Sequence, residues 1–391
     1  MEQYNDKLLE LIKFHKDKNI FRHYNCVCGE DNDELIATKD KFGLDCNFVI
    51  CKNCGLIRMN PYYTEDFLKI FYSEFYSTIY RNDKYCSNET FNHICNVRGK
   101  YIIDRIVSSI NINFKNLKVF EVASGSGGIL KAFQNKGCDV YGCDYDENFI
   151  LLAKNNGINI VTGSYDELKK FGKCDLLILS HILEHIAEPD IFINNILELV
   201  SDNGYIYIEI PTLESIAHHF NYYLFDFQSA HVYYYTEFNF LKLLKKLNLF
   251  IIDKYYEYIY GRGYGFLCQK NKSNKNNYNL DYFLVSSFIN QCNHFKNIYA
   301  KMVELENKIK DNNKNLNIIH NVVNTLAWWI PVKKWRDNFR NKFNTDQTRP
   351  DQTRPDQTRP EIICKRNIYV FFNNIIIINK LQPMLQYYIA A

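Results

Sequence analysis

KVFEVASGSGGIL, running from Lys118 to Leu130, changes character twice. Val119, Phe120 and Val122 give it an apolar, strand-forming start. Ala123-Ser124-Gly125-Ser126-Gly127-Gly128 then breaks any regular pattern, and Ile129 to Lys136 turns helical before closing on Gly137. A strand, a glycine-rich turn and a helix N-terminus in that order make a cradle for a nucleotide-bearing ligand. Glycine lets the backbone approach, and the first N–H groups of the helix face whatever is bound. Alone the pattern is common, and it also approximates a dinucleotide fingerprint with Ala123 in the first glycine's place.

Two acids sharpen the reading. Glu121 ends the first strand, and a second apolar strand, Asp139 to Asp144, ends in the other. An acid at the end of a second strand can hold both hydroxyls of a ribose. A carboxylate such as Glu121 would repel a pyrophosphate but suits a ligand carrying an ammonium and a sulfonium. The stretch resembles the first motif of the class I S-adenosylmethionine-dependent methyltransferases, acid-x-Gly-x-Gly-x-Gly. It matches at Glu121, Gly125 and Gly127 and departs at Ala123. The resemblance implies a Rossmann-like α/β sheet with helices on both faces. It also implies S-adenosyl-L-methionine as cofactor, held by Glu121, Ala123, Gly125, Gly127 and Asp144.

Strand, turn and helix keep alternating downstream, as right-handed crossovers in a parallel sheet require. After a third strand, Ser164 and Asp166 occupy the turn that the resemblance places beside the adenine; an ordinary turn that caps the next helix reads as well. The fourth strand, Cys174 to Ser180, runs directly into His181-Ile-Leu-Glu184-His185. Out of context H-x-x-E-H is an inverted zinc-protease motif. At the C-terminal edge of a parallel sheet, however, it resembles the SHxLEH signature of the same methyltransferases. That reading puts Ser180 at the cofactor and His181 at the site, with His185 turned inward as a structural residue. A fifth strand, Gly204 to Pro211, precedes an aromatic insertion at residues 218–236, expected to wall the acceptor pocket. Relatives that methylate carbon carry a tyrosine, a glutamate and a histidine here; this chain keeps His231, with Gln228 and Ala230 in the other places. His231 and His181 are the candidate catalytic residues.

Upstream, Cys26-Val-Cys28-Gly and Cys51-Lys-Asn-Cys54-Gly lie about 25 residues apart, a layout able to close a tetrahedral structural zinc site from Cys26, Cys28, Cys51 and Cys54. The C-x-C half is tighter than usual, so His23 or Cys46 are alternatives. The segment resembles the small zinc-binding domain that precedes the methyltransferase domain in a family of bacterial sugar methyltransferases, a resemblance covering residues 20–270. The chain has 391 residues, 13 cysteines and a formal charge of +3. That length predicts two or three domains, and that charge gives no global pull toward nucleic acid. The charged N-terminus predicts no secretory signal, and the cysteines then read as reduced thiols or metal ligands in a cytoplasmic protein.

The expected organisation is a zinc-ribbon-like module at 20–60, a helical connection at 61–110 and the methyltransferase domain at 111–270. A helical extension follows at 271–345, then a linker of three Asp-Gln-Thr-Arg-Pro copies at 346–360 and an apolar tail at 361–391. Trp328, Trp329 and Trp335 among Lys333, Lys334, Arg336, Arg340 and Lys342 fit peripheral contact with the inner face of an anionic membrane. The resemblance implies O-methylation of a sugar in surface-polysaccharide biosynthesis, the acceptor being nucleotide- or lipid-linked. The alternatives are C-methylation of a keto-sugar, an NAD-dependent sugar-modifying oxidoreductase, and a non-catalytic binding protein. Glu121 and the absence of a Tyr-x-x-x-Lys pair after the fourth strand disfavour the oxidoreductase.

Overall fold

A computed structural model describes residues 2–81, 86–213, 227–257 and 263–270. The expected extension, repeat linker and tail lie outside these residues, as does the stretch 218–226 of the aromatic insertion. Helix α1 (Glu2–Phe14) leads into strands β1 (Phe21–Arg22), β2 (Asp33–Lys39), β3 (Asp45–Cys51), β4 (Ile57–Met59) and β5 (Tyr62–Tyr63). Helix α2 (Glu65–Ile70) starts where the Thr64 hydroxyl accepts from the Phe67 N–H, and π-helical turns prolong it to Arg81. Helix α3 (Asn88–His93), capped by Ser87, passes through a π-helical turn at Ile94–Gly99 into α4 (Lys100–Ser109).

Strands β6 (Lys118–Val122), β7 (Asp139–Asp144), β8 (Asn159–Thr162), β9 (Cys174–Ser180) and β10 (Val200–Pro211) then alternate with α5 (Gly128–Gln134), α6 (Glu147–Asn155) and α7 (Pro189–Ile196). After the short strand β11 (Tyr233–Tyr234) come α8 (Glu237–Lys246) and the last strands β12 (Phe250–Glu257) and β13 (Gly263–Gln269). The main sheet has seven strands in the order β12-β13-β10-β9-β6-β7-β8. Five run parallel, and β13 lies antiparallel between β10 and β12. The order reverses between β6 and β9, so the ends of these two strands open the crevice where ligands of such sheets bind.

Strand residues alternate between two faces, and both faces are covered. Phe120, Leu177, Leu179, Ile206 and Ile208 join one buried cluster; Val119, Leu176, Ile178 and Tyr207 join the other, with Ile102, Ile106, Leu130 and Phe133 of α4 and α5. The first cluster also contains Phe48, Met59, Tyr62 and Phe71 of the N-terminal part. Moreover, β11 completes the N-terminal sheet, whose order is β11-β4-β3-β2. The expected boundary near residue 60 therefore does not separate two cores.

Candidate functional site

The glycine-rich turn takes the shape its residues allow. Gly125 and Gly127 have φ of 53° and 75°, and Ala123 is forced to 50°, a region unfavourable to a residue with a Cβ. Asp144, at the tip of β7, braces this turn: its Oδ2 accepts from the Gly125 N–H at 2.7 Å and its Oδ1 from the Asp146 N–H at 3.0 Å. Glu121 lies one strand away, 3 % exposed, and its Oε2 has no hydrogen-bond partner. Burial, reinforced by the Asp144 charge and opposed by Arg98, pushes the Glu121 carboxyl up to about 8. The Ser126 hydroxyl is a second buried group without a partner in the same turn. A buried acid and a hydroxyl left unsatisfied beside a backbone turn fit a cationic, polar ligand that would supply what the protein does not.

The edge beyond β9 carries a continuous ionic network. Glu209 of β10 is 1 % exposed, with Arg98 Nη2 3.1 Å from its Oε2 and His181 Nε2 3.5 Å from its Oε1. Ser180 donates to Glu209 Oε2 and accepts from Arg98, while the Tyr207 hydroxyl donates to the same carboxylate. Burial alone would raise the Glu209 carboxyl, yet Arg98 and His181 together hold it down to about 2. Conversely, burial and Arg98 lower His181, but Glu184, with Nδ1 3.4 Å from its Oε1, and Glu209 outweigh them and raise it to about 9. His181 is thus an imidazolium near neutrality, and its backbone, at φ 55°, is held by its N–H on the Glu209 carbonyl. Sequence reasoning missed Arg98 and Glu209. One comes from a helix before the first strand and the other from the fifth strand, and only the sheet order brings them together.

His185 and His231 meet with ring centroids 4.7 Å apart, edge to face. His185 Nδ1 donates to the Ala230 carbonyl at 2.8 Å, which leaves the lone pair on Nε2 when the ring is neutral. The amide nitrogen of Gln228 lies 2.9 Å from His231 Nε2. Tyr72 and Tyr76, from the π-helical continuation of α2, pack edge-on against His185. Ser164 and Asp166 have other employment: Ser164 caps the next helical turn, and Asp166 pairs with Lys169 on an exposed face. The capping alternative is the one the structure displays.

The four cysteines of the N-terminal module converge as their spacing suggested. Cys26 and Cys54 approach to 3.5 Å and Cys28 and Cys51 to 3.6 Å. All four sulfurs lie within 4.8 Å of one another. A tetrahedron with zinc–sulfur bonds of about 2.3 Å has edges near 3.8 Å, so the thiols fit such an ion. His23 and Cys46 do not join the cluster. Among the described residues no helix is long and apolar enough to cross a membrane.

Residues 96–254 match the family described as "Methyltransferase domain". The chain is 30% identical over 114 residues to the ubiquinone biosynthesis O-methyltransferase of Rickettsia canadensis (strain McKiel), covering 28% of this chain and 48% of that protein. Against the enzyme of the same name from Pelagibacter ubique it is 28% identical over 138 residues, covering 32% and 56%. The chain thus spans about half the length of the curated relatives it matches. A solved magnesium protoporphyrin IX methyltransferase from Synechocystis with bound SAH aligns with 53% of this chain and all of its own, at 15% identity and a TM-score of 0.41.

Proposed function

From a class I S-adenosylmethionine-dependent methyltransferase domain at the centre of the chain, we propose that the protein methylates a hydroxyl group. The observation that carries this reading is Glu121, a buried carboxyl with an unpartnered oxygen beside the Asp144-braced glycine turn. S-adenosylmethionine, when bound, supplies a methyl group on an electrophilic sulfonium. Glu121 offers the counter-charge to the cationic part of that cofactor. Asp144 has lone pairs left for a ribose, and Gly125 and Gly127 keep side chains out of the way. Arg98, Glu209 and Ser180 fix the ends of β9 and β10, so the β9 side of the crevice is pre-shaped rather than formed on binding.

On the acceptor side His181, held cationic by two carboxylates, orients and does not take a proton. That task falls to His231, beside His185, against the wall formed by Tyr72 and Tyr76. The test has two arms. Calorimetry should show S-adenosylmethionine binding that Asp144→Ala weakens by roughly 2–4 kcal/mol through lost charge-assisted hydrogen bonds. His231→Ala should lower turnover by ~10²–10⁴ and leave donor affinity intact. Unchanged donor affinity in a folded Asp144→Ala protein would sink the first assignment; parental turnover by His231→Ala from pH 6 to 9 would sink the second.

The acceptor we propose is a sugar hydroxyl of a nucleotide- or lipid-linked glycan precursor, as the resemblance of the N-terminal module suggests. A phenolic acceptor is the second reading, favoured by the names of the relatives that match the central domain. Transfer of labelled methyl to extracted glycan precursors or to a hydroxylated quinone precursor decides between them. Cys26, Cys28, Cys51 and Cys54 would hold one structural zinc per chain, which metal analysis should find and Cys51→Ser with Cys54→Ser should abolish. The Trp328–Phe343 segment would attach a cytoplasmic enzyme to anionic membrane; failure of the intact chain to sediment with anionic vesicles at low salt removes that proposal.

A further inference from the structure

We propose that Glu184, His185 and His231 form a second metal site, for a divalent cation bound by one carboxylate and two imidazoles at the acceptor side of the crevice. Their candidate ligand atoms all lie within 4.8 Å of one another. Glu184 is 1 % exposed. One of its oxygens, Oε1, faces His181 at 3.4 Å, while the other, Oε2, is buried without any hydrogen-bond partner. An ionisable oxygen left in that condition is costly unless a cation or a donor completes it. His185 is oriented for ligation: its Nδ1 donates to the Ala230 carbonyl, so Nε2 is the ligating nitrogen, 3.8 Å from Glu184 Oε1. A backbone carbonyl behind an imidazole is a common support of metal-bound histidines. His231 brings the third donor from a different loop, its ring 4.7 Å from that of His185. Gln228 competes for that ring, with its amide nitrogen 2.9 Å from His231 Nε2. Rotation of that terminal amide presents its oxygen to the same point.

Two imidazoles and a carboxylate with positions left open suit Mn²⁺, Fe²⁺ or Zn²⁺ and contrast with the all-sulfur cluster of the N-terminal module. A cation here would take the acceptor hydroxyl oxygen as a further ligand and let its proton leave to solvent at neutral pH, so that His231 would then serve the transfer as a ligand of the cation in place of its role as base. That role rests on the methyltransferase reading; cation binding itself does not.

Titration of the full-length chain with Mn²⁺, followed by electron paramagnetic resonance of the free ion, tests the site, because thiolates do not favour manganese. The wild type should bind one Mn²⁺ per chain. Glu184→Gln and His231→Ala should each weaken that binding at least 10-fold, while the sulfur cluster keeps its zinc. His231→Ala changes a partly exposed side chain and so remains informative if the buried Glu184→Gln fails to fold. A wild type that leaves millimolar Mn²⁺ free, or a His231→Ala protein that binds like the wild type, overturns the proposal. Mn²⁺ binding without any S-adenosylmethionine binding by calorimetry would retain the site and remove the methyltransferase reading instead.

Discussion

Glu121 keeps a proton that an exposed glutamate would surrender, because burial pushes its carboxyl up to about 8. The native state therefore binds more protons than the unfolded chain between the ordinary carboxyl value of 4.5 and about 8, and Glu121 costs stability as pH rises through that window. Glu121→Gln should melt higher than the parent at pH 9 and close to it at pH 5, a difference calorimetry can read. A cationic cofactor reverses the preference and favours the ionised acid. Donor binding near pH 7 should then release a proton, and affinity should climb from pH 6 to 8 in the parent but not in Glu121→Gln. Titrations in two buffers of different ionisation enthalpy measure the release; an affinity flat across that range removes Glu121 from the donor site. His181 adds a second alkaline loss of opposite origin. Its raised value stabilises the fold fully below its usual 6.5, and that contribution disappears as pH passes about 9.

At the scale of the element, the turn after β6 contains one avoidable strain. Ala123 holds φ 50° with a Cβ present, so Ala123→Gly should stabilise the protein by about 1 kcal/mol or less, the gain being reduced by glycine's greater freedom when unfolded. Gly127→Ala should do the reverse. At φ 75° its new Cβ would stand 2.9 Å from Ile160 Cδ1 and 3.0 Å from Ile158 Cγ2, a loss of roughly 1–3 kcal/mol visible in denaturant unfolding. This turn was legible because everything it needs is local: an apolar strand, an acid at its end, glycines, then a helix. The same holds for β9, whose residues are apolar on both faces because both faces are buried, and for the two cysteine pairs. Arg98 and Glu209 could not be read that way. Each lies on an element that looks ordinary alone, and their pairing follows from β10 lying beside β9 and from the helix at residues 88–109 crossing the strand ends. Ser164 and Asp166 show a different limit: the turn after the third strand reads equally as a helix cap, and Ser164 does cap the helical turn that follows.

Over the whole molecule, the loop that carries Gln228 and His231 is held from outside by the N-terminal part. Asp40 Oδ2 accepts from the Ser229 N–H and the Tyr62 hydroxyl donates to the Ala230 carbonyl, while in α8, which follows the loop, Asn239 donates to the Cys54 carbonyl. Loss of the sulfur cluster by Cys51→Ser with Cys54→Ser should therefore lower kcat at least 10-fold while changing donor affinity less than twofold. Single-turnover kinetics beside donor calorimetry separate the two effects; equal losses in both would mean general unfolding. Strand β11 has a consequence for how the chain is made. Arg58 and Tyr233, paired across β4 and β11, are 175 residues apart. At about 5–20 residues per second, a ribosome needs on the order of 10–35 s to deliver the partner that β4 awaits. Through that interval the nascent chain presents an apolar strand edge next to Phe48 and Tyr62. Messages truncated before codon 235 should thus yield chaperone-bound or aggregated product, whereas those reaching codon 270 should release folded protein.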